Sequence, residues 1–488
     1  MAEAARSALA DARADRQLCE AVDHLAVIRT FADSSPQFAS PFGGPENYPD
    51  AVARRIGCRP KHAWYPMVGG DTPQMMVSLL AERLQRGEGR AALIIAGEAM
   101  AGQRLAKKAG AALDWREAAG EDAPALQTPG DPRPGMSPHE LAHGIAEPTH
   151  VYPLFESAIA AAEGRAMSVH RQRIGSLFAR FSMVAAANPH AWDCTARTSD
   201  EIWREGPDNR MIAWPYTRRL CAQMFVDQAA AVLLTTVGEA RRLAIPPDRW
   251  VFLAGSAEVS EKWFLAERVD FARAPAIEVG ARAALAQAGI GIDEIDLFDL
   301  YSCFPSAVEV AARALGLAED DPRGLTVTGG LPFFGGPGNG YSLFAIAEMA
   351  DRLRRRDEPT FGLITANGWY LTKHAFGVYA NRPPKAAWHR RPSTDAQARI
   401  DALAAPSFTE TPEGDGLVEA ATVIFDRSGA PRHGLLYGRL GSDGEGPRFV
   451  AVTEPGETSS LKALMGERPV GRPLTVRRQG QRNIARVS

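Results

Sequence analysis

"TVTGGLPFFGGPGNGYS", residues 326–342, holds six glycines, a density no other stretch of the chain reaches. A backbone this bare serves a phosphate, a reactive carbonyl or a tight turn. The nucleotide readings fail on the residues. A G-x-G-x-x-G fingerprint begun at Gly336 and Gly338 ends on Tyr341. A phosphate loop needs Gly-Lys-Ser/Thr, but Gly335 is followed by Gly336. The stretch leads into a helical pattern at Ser342, so its N–H groups are placed to face an anion or a polarised carbonyl oxygen. A turn that requires positive φ is the equal alternative.

Buried strands and amphipathic helices alternate on both sides of this stretch. "RAALIIAGEAM" (90–100), "RWVFLAGSAE" (249–258), the end of "DEIDLFDLYS" (293–302) and "TFGLITANG" (360–368) are apolar runs of strand length. "MMVSLLAERLQRG" (75–87), "IEVGARAALAQAGI" (277–290) and "PSAVEVAARALGL" (305–317) have helical periodicity. Residues 151–235 read as mainly helical, and 121–150 as loop. The two halves repeat one order of elements, a weak internal duplication. From 389 the pattern changes to a linker, a helix and alternating residues broken by turns, which predicts an all-β module. Arg477, Arg478 and Arg482 read as charges on its solvated edge strand.

Composition excludes several classes. The 488 residues are 45% apolar and 23% charged with a net charge of −3, which gives no footprint for nucleic acid. No apolar run has membrane-spanning length. The five cysteines stand far apart without metal spacing and read as reduced thiols of a cytoplasmic protein.

Three motifs carry candidate chemistry. His139-Glu140-x-x-His143 matches a zinc protease pattern, but Pro138 and Gly144 confine it to a short helix. His150 follows His143 at seven residues rather than six, so zinc proteolysis is a remote alternative beside a capped surface turn. "DLYSCFPSAVE" (299–309) puts Tyr301 and Cys303 where a strand ends and a helix begins. Cys303 is there either an activated nucleophile or an inert buried thiol. "NGWYLTKHAFGVY" (367–379) adds Tyr370, Lys373 and His374 after another strand end.

Together these segments resemble the thiolase superfamily, in its sterol-carrier-protein thiolase-like branch. Within it they resemble the thiolase-like proteins with an additional C-terminal domain, often named acetyl-CoA acetyltransferases by homology. "TVTGGLPFFGGPGNGYS" matches the segment Asn-x-Asn-Gly-Gly, four residues, Gly-His-Pro. "DLYSCFPSAVE" matches Asn-Glu-Ala-Phe, "TANG" (365–368) matches the Cys-x-Gly turn, and "MVGGDTPQMM" (67–76) opens the nucleophile segment. The resemblance implies a five-layered α/β/α/β/α fold of two similar halves plus a C-terminal antiparallel β-barrel. The expected divisions are 1–274 with a helical loop region at about 121–225, 275–388, and 389–488.

The resemblance also implies what is missing. The nucleophile falls at or beside Gly70, the histidine is Gly336, the water-holding asparagine is Tyr301, and the second cysteine is Ala366. Without thiolate or base the familiar Claisen route is closed. What remains is an acyl-CoA-binding protein of the acyltransferase superfamily, of altered chemistry or none, placed in lipid metabolism. The alternative is a retro-aldol lyase on a β-hydroxyacyl-CoA using Tyr301, assisted by Tyr370 or His374. Gly329, Gly330, Gly335, Gly338, Asn367 and Gly368 are the expected frame for a CoA thioester, with no tightly bound cofactor and no metal. Gly70 and Gly336 replace larger groups and so leave room for a ligand. A homodimer is expected, or a small β-domain partner whose place the chain's own barrel takes. Finally, thiolases open with a Val-Ile-Val-Gly-Val-Gly strand, whereas residues 1–22 here read as one helix. Either the true start lies upstream, the reading favoured here, or the sheet lacks a central strand, and lower stability is expected.

Overall fold

The structure, a computed structural model, describes residues 1–488 except for the side chains of Asp15 and Arg16. Its strands are β1 (Val22–Val27), β2 (His62–Trp64), β3 (Ala91–Ala99), β4 (Leu126–Gln127), β5 (Met211–Ala213), β6 (Tyr216–Thr217), β7 (Asp227–Thr235), β8 (Phe252–Ser260), β9 (Leu297–Asp299), β10 (Phe361–Gly368) and β11 (Lys373–Ala380). The C-terminal module adds β12 (Gly414–Phe425), β13 (Pro431–Leu440), β14 (Arg448–Val452), β15 (Pro473–Gln479) and β16 (Arg482–Val487). The first four helices are α1 (Ala2–Asp11), α2 (Asp15–Ala21), α3 (Tyr48–Ile56) and α4 (Thr72–Gln85).

Two sheets form the body. The first has the order β4-β2-β1-β3-β7, parallel except for the β3–β7 pair. The second has the order β8-β11-β10-β9. The helix α4 and the Tyr341–Arg354 helix pack against strands of both sheets and form the central layer. Outside the first sheet lie α1 and α3, and outside the second the Pro275–Ala288 helix. The result is the five-layered α/β/α/β/α arrangement. Strands β1 and β3 are buried on both faces with period two. Leu25, Val27, Leu93 and Ile95 face the outer helices, while Ala26, Ile28, Ile94 and Ala96 face the central layer.

Four readings of the sequence need correction. The first strand is not missing. Two helices within residues 1–21 precede β1, the central strand of its sheet, so the ground for expecting lower stability falls. Asp23 and His24 disguise the strand. Asp23 pairs with Lys61 and Arg90, and His24 bonds the Glu88 carbonyl at 2.9 Å. Second, the run 227–235 is the edge strand β7, not helix, and residues 211–217 are a hairpin. An apolar run such as AAAVLL does not distinguish a buried helix from a buried strand. Third, the division at 274/275 cuts the second half, because β8 pairs with β11. Fourth, Cys19 and Cys58 form a disulfide with Cα atoms 5.0 Å apart, so these two thiols are not reduced. The link joins α2 to the turn after α3, a proximity that sequence spacing does not reveal. Cys194, Cys221 and Cys303 are free.

The C-terminal module is a closed five-stranded barrel with the order β12-β13-β14-β16-β15 returning to β12. It is antiparallel except where β14 meets β16 in parallel. The Thr458–Leu464 helix lies between β14 and β15, which makes this the strand order of an OB-fold. In the barrel β12 covers β15 only over residues 473–476, so Arg477 and Arg478 are exposed and paired with β16 alone, on an open strand edge. The β5–β6 hairpin docks on β12 through Ala213 and Ile424. Among the described residues no helix is long and apolar enough to cross a membrane.

Candidate active site

The glycine-rich stretch does bind an anion, but the anion is the chain's own Asp299. The Asp299 carboxylate is buried at the end of β9. Its Oδ2 accepts from Val327 N at 3.0 Å, Thr328 N at 3.1 Å, Thr326 Oγ1 at 2.9 Å and Thr328 Oγ1 at 3.0 Å. Its Oδ1 accepts from the Tyr341 hydroxyl at 2.9 Å. Burial pushes this carboxyl above its ordinary range, and the donors around it oppose that shift. The glycine N–H groups are consumed nearby. Gly329 N donates to Thr326 Oγ1, Gly330 N to Thr328 Oγ1 and Gly336 N to the Gln223 carbonyl.

The glycines are needed for close approach. At Gly329, with φ of +109°, a Cβ would lie 2.5 Å from the backbone of Ala185, and at Gly335 it would lie 2.3 Å from Gln228 Oε1. Gly330 faces Phe181 and Gly338 faces Glu98 in the same way. The expected thioester frame is therefore, at these four positions, packing against neighbouring elements. At Gly336 a Cβ would meet only ordinary contacts of 3.4–3.5 Å.

The nucleophile position is equally full. A Cβ on Gly70 would lie 2.4 Å from Tyr301 Oη and 2.5 Å from the Asn367 carbonyl oxygen. The expected room is taken up by the phenol, and the structure brings Tyr301 and Gly70 together. Tyr301 Oη makes no hydrogen bond among the described residues, while its backbone N–H is held by Thr365 Oγ1 at 2.8 Å. Burial, with Cys303 and Asp71 adding, holds the phenol far above its usual pKa, so it stays protonated. We predict that Gly70→Cys yields no thiolysis of acetoacetyl-CoA and lowers stability by about 1–3 kcal/mol through overpacking. A wild-type melting temperature in that variant would contradict the contact, and Tyr301→Phe should partly rescue it.

Beside Gly70 lies an ion pair of which the motifs singled out only Lys373. Asp71 Oδ1 is 3.4 Å from Lys373 Nζ, and both residues are buried. Gly69 and Gly368 bracket the Asp71 carboxylate, each leaving space that a Cβ would fill at 2.1 Å from its Oδ1. Burial raises the Asp71 carboxyl and Lys373 opposes the rise. Because side chains alternate along β11, Lys373 faces this pair and His374 the opposite side. Only the β11 register, invisible in the sequence, decides between the two. His374 donates Nε2–H to the Leu371 carbonyl at 3.0 Å. Burial, with Arg268 adding, pushes it down to about 3, so it is a neutral clamp rather than the expected assistant.

The turn between β10 and β11 is strained and held. Trp369 and Leu371 have φ of +54° and +56°, each a cost of roughly 1–3 kcal/mol. Three successive carbonyls are pinned by buried side chains: Trp369 O by Tyr152 at 3.0 Å, Tyr370 O by Arg268 at 2.9 Å, and Leu371 O by His374. Tyr370's own hydroxyl is spent on the Ala146 carbonyl at 2.6 Å. Asn367 Nδ2 donates to Tyr152 Oη at 2.8 Å, and its buried Oδ1 has no partner among the described residues.

Two further candidates resolve. Cys303 is buried and pushed up to about 12 by that burial, which fits the inert thiol and not the activated one. The His139/Glu140/His143 set is a docking surface for the barrel. Glu140 caps its own short helix and accepts from Ala266 N and the Tyr437 hydroxyl. His143 Nε2 accepts from Asn483 N at 2.7 Å. These ligand atoms are occupied by protein donors, so the zinc protease reading falls. A cavity of about 820 Å³ lies elsewhere, lined by Thr30, Tyr48, Glu98, Trp115 and Gln228 among others, and none of the residues around Gly70 borders it.

Comparison with known proteins places this arrangement. The family model of the thiolase-like protein type 1 additional C-terminal domain matches residues 395–481. The crystal structure of a monomeric SCP2-thiolase-like protein type 1 from Mycobacterium smegmatis aligns with 100% of this chain and 94% of its own, at 35% identity and a TM-score of 0.83. The chain belongs to the SCP2-thiolase-like proteins of type 1. An Ltp2-ChsH2(DUF35) aldolase structure shares the fold at a TM-score of 0.55 and 19% identity, over 78% of this chain and 93% of that one. No curated protein matches the chain. In this type 1 thiolase-like protein the frame of the fold is intact, and Gly70, Gly336 and Ala366 leave it without thiolate or imidazole at the three positions that the resemblance marked.

Proposed function

We propose that this type 1 thiolase-like protein binds an acyl thioester of coenzyme A beside Gly70 and Tyr301, and that it forms no covalent acyl-enzyme. The observation that carries the reading is the Tyr301 hydroxyl. It lies beside the position that the resemblance gives the thiolase nucleophile, unpaired among the described residues and 2.4 Å from where a Gly70 Cβ would be. A protonated phenol there is a hydrogen-bond donor to a thioester or β-oxygen, not a nucleophile. The fold supports the ligand class.

A second reading, retro-aldol cleavage of a β-hydroxyacyl-CoA, is favoured by the same free hydroxyl. The neighbour named as an aldolase shares the fold alone, and in it a DUF35 chain is named beside Ltp2. In this second reading the protein's own barrel serves as the small β-domain in cis. In this reading the protonated Tyr301 phenol donates a hydrogen bond to the β-oxygen, and the proton that the β-hydroxyl loses passes to a separate base, because a phenol that keeps its own proton cannot take another.

Both readings meet one experiment. Acyl-CoA esters of increasing chain length should raise the melting temperature, and β-hydroxyacyl-CoA should release an aldehyde or ketone. Tyr301→Phe should lower that release about a hundredfold or more. It should shift stability by no more than ~0.5 kcal/mol, because the hydroxyl has no partner to lose. No melting shift with any ester sinks the binding proposal. Release that persists in Tyr301→Phe sinks the role given to the phenol.

A further inference from the structure

Glu156, His170 and Glu309 meet where three helices converge, Pro148–Ala162, Met167–Ala186 and Pro305–Leu315. All three are buried, at 0%, 0% and 4% exposure. Each offers one ligand atom, and these atoms lie within 4.8 Å of one another. His170 Nε2 bonds Glu156 Oε1 and is 3.9 Å from Glu309 Oε2. Both oxygens of Glu309 are out of contact with water and have no hydrogen-bond partner among the described residues. Glu156 is served on its other oxygen by the Tyr216 hydroxyl, which also bonds Ser306. Two carboxylates do not share a dry site as anions, so either a proton or a cation stands between them.

We propose that this cluster is a divalent metal site, with Glu156, His170 and Glu309 as its ligands and zinc or a similar first-row ion as its occupant. One imidazole and two carboxylates form a mixed N/O set of the kind that borderline divalent ions take. Ligand bonds of about 2.0–2.2 Å need ligand atoms roughly 3.3 Å apart, so atoms that lie within 4.8 Å of one another draw together by up to about 1.5 Å on uptake. The Tyr216 hydroxyl on Glu156 supplies the outer hydrogen bond that orients a ligand carboxylate. The helices hold the three side chains on rigid elements. Neither the proposed thioester site nor the three positions that the resemblance marked uses any of them.

Entry runs past Arg165. Its guanidinium now donates to His170 Nδ1 at 2.8 Å and comes within 3.9 Å of Glu309, while its other nitrogen already pairs with Glu163. Arg165 also borders a small surface pocket of about 150 Å³ with Gly164, Glu467 and Arg468. On uptake Arg165 withdraws toward Glu163. The His170 proton moves from Nε2 to Nδ1, Nε2 binds the ion, and the proton between the two carboxyls leaves. The balance is one divalent ion taken up for one proton released.

The test uses the full chain, stripped with chelator, equilibrated with zinc chloride and desalted. One zinc per chain is expected to remain, with a higher melting temperature that chelator reverses. Cobalt loading should give a visible d–d absorption that zinc displaces. Glu309→Gln and His170→Gln should each lose at least nine-tenths of the retained zinc. Should either variant fail to fold, the wild-type stoichiometry and cobalt spectrum decide. Wild-type chain that retains no zinc and shows no cobalt band overturns the proposal, as does a folded Glu309→Gln variant that retains zinc like the wild type.

Discussion

Replacing Asp299 by alanine should lower the free energy of unfolding by about 3–5 kcal/mol, more than almost any other single change in the chain. The loss comes from groups left behind. Val327 N and Thr328 N are buried donors aimed at Asp299 Oδ2, and each costs roughly 1–3 kcal/mol when orphaned. The hydroxyls of Thr326, Thr328 and Tyr341 suffer less, because Thr328 Oγ1 already lies 3.2 Å from Thr326 Oγ1 and 2.6 Å from Tyr341 Oη. Asp299→Asn keeps one acceptor and volume, so it should cost about half as much. Denaturant midpoints measured at constant slope separate the two. A loss below about 1 kcal/mol in Asp299→Ala would mean that the carboxylate is not what holds the turn. The effect should spread beyond Asp299. Gly329 N depends on Thr326 and Gly330 N on Thr328, so hydrogen exchange across 326–336 should rise in the alanine variant.

Much of the fold was legible because its strands are long apolar runs and its helices have clear periodicity. Runs such as Ala91–Ala99 and Phe361–Gly368 are buried along almost their whole length, and glycines and prolines punctuate them. What failed to read has a common physical cause: tertiary partners change the meaning of local sequence. Asp23 and His24 look wrong for a central strand until Lys61, Arg90 and the Glu88 carbonyl are in place. Residues 227–235 look helical until β3 pairs with them. Cys19 and Cys58 are 39 residues apart, and only the packing of α2 beside α3 brings them together.

The site was legible in part. The pairing of Tyr301 with the Gly70 position was carried by the family resemblance, and the structure brings the two together. The glycine cradle was not legible. Glycines that admit a ligand and glycines that admit Ala185, Phe181 or Gln228 have the same sequence signature. Nor does sequence reveal that Lys373 rather than His374 faces Asp71, since that depends on strand register. Asp71 itself carried a signal. An acidic residue directly before a Thr-Pro helix start is a cap position, yet its side chain makes no cap bond and turns to Lys373 instead.

Replacing Arg448 by methionine should cost about 3–5 kcal/mol and should first show as undocking of the barrel. Arg448 opens β14 with a side chain that is completely buried. Its guanidinium forks onto Glu419, with Nε 2.7 Å from Oε2, and its Nη1 donates to the carbonyls of Ala266 and Arg268, the former at 3.0 Å. Phe271 lies under the guanidinium at 4.9 Å. Methionine fills the volume but leaves both carbonyls unbonded and Glu419 with Arg439 alone. Lysine should not rescue it, because a single ammonium does not reproduce a fork that meets a carboxylate and two carbonyls at once. The consequence should reach the candidate site. Arg268, whose carbonyl Arg448 holds, donates to Tyr370 O and Thr372 Oγ1 at the strained turn. Hydrogen exchange in 368–374 should therefore rise in Arg448→Met, together with cleavage by protease in the 389–413 connection. Unchanged exchange there, with the barrel still docked, would show that the strained turn owes nothing to the C-terminal module. A rise in exchange would identify the barrel as the brace that holds Trp369, Tyr370 and Leu371 beside Tyr301.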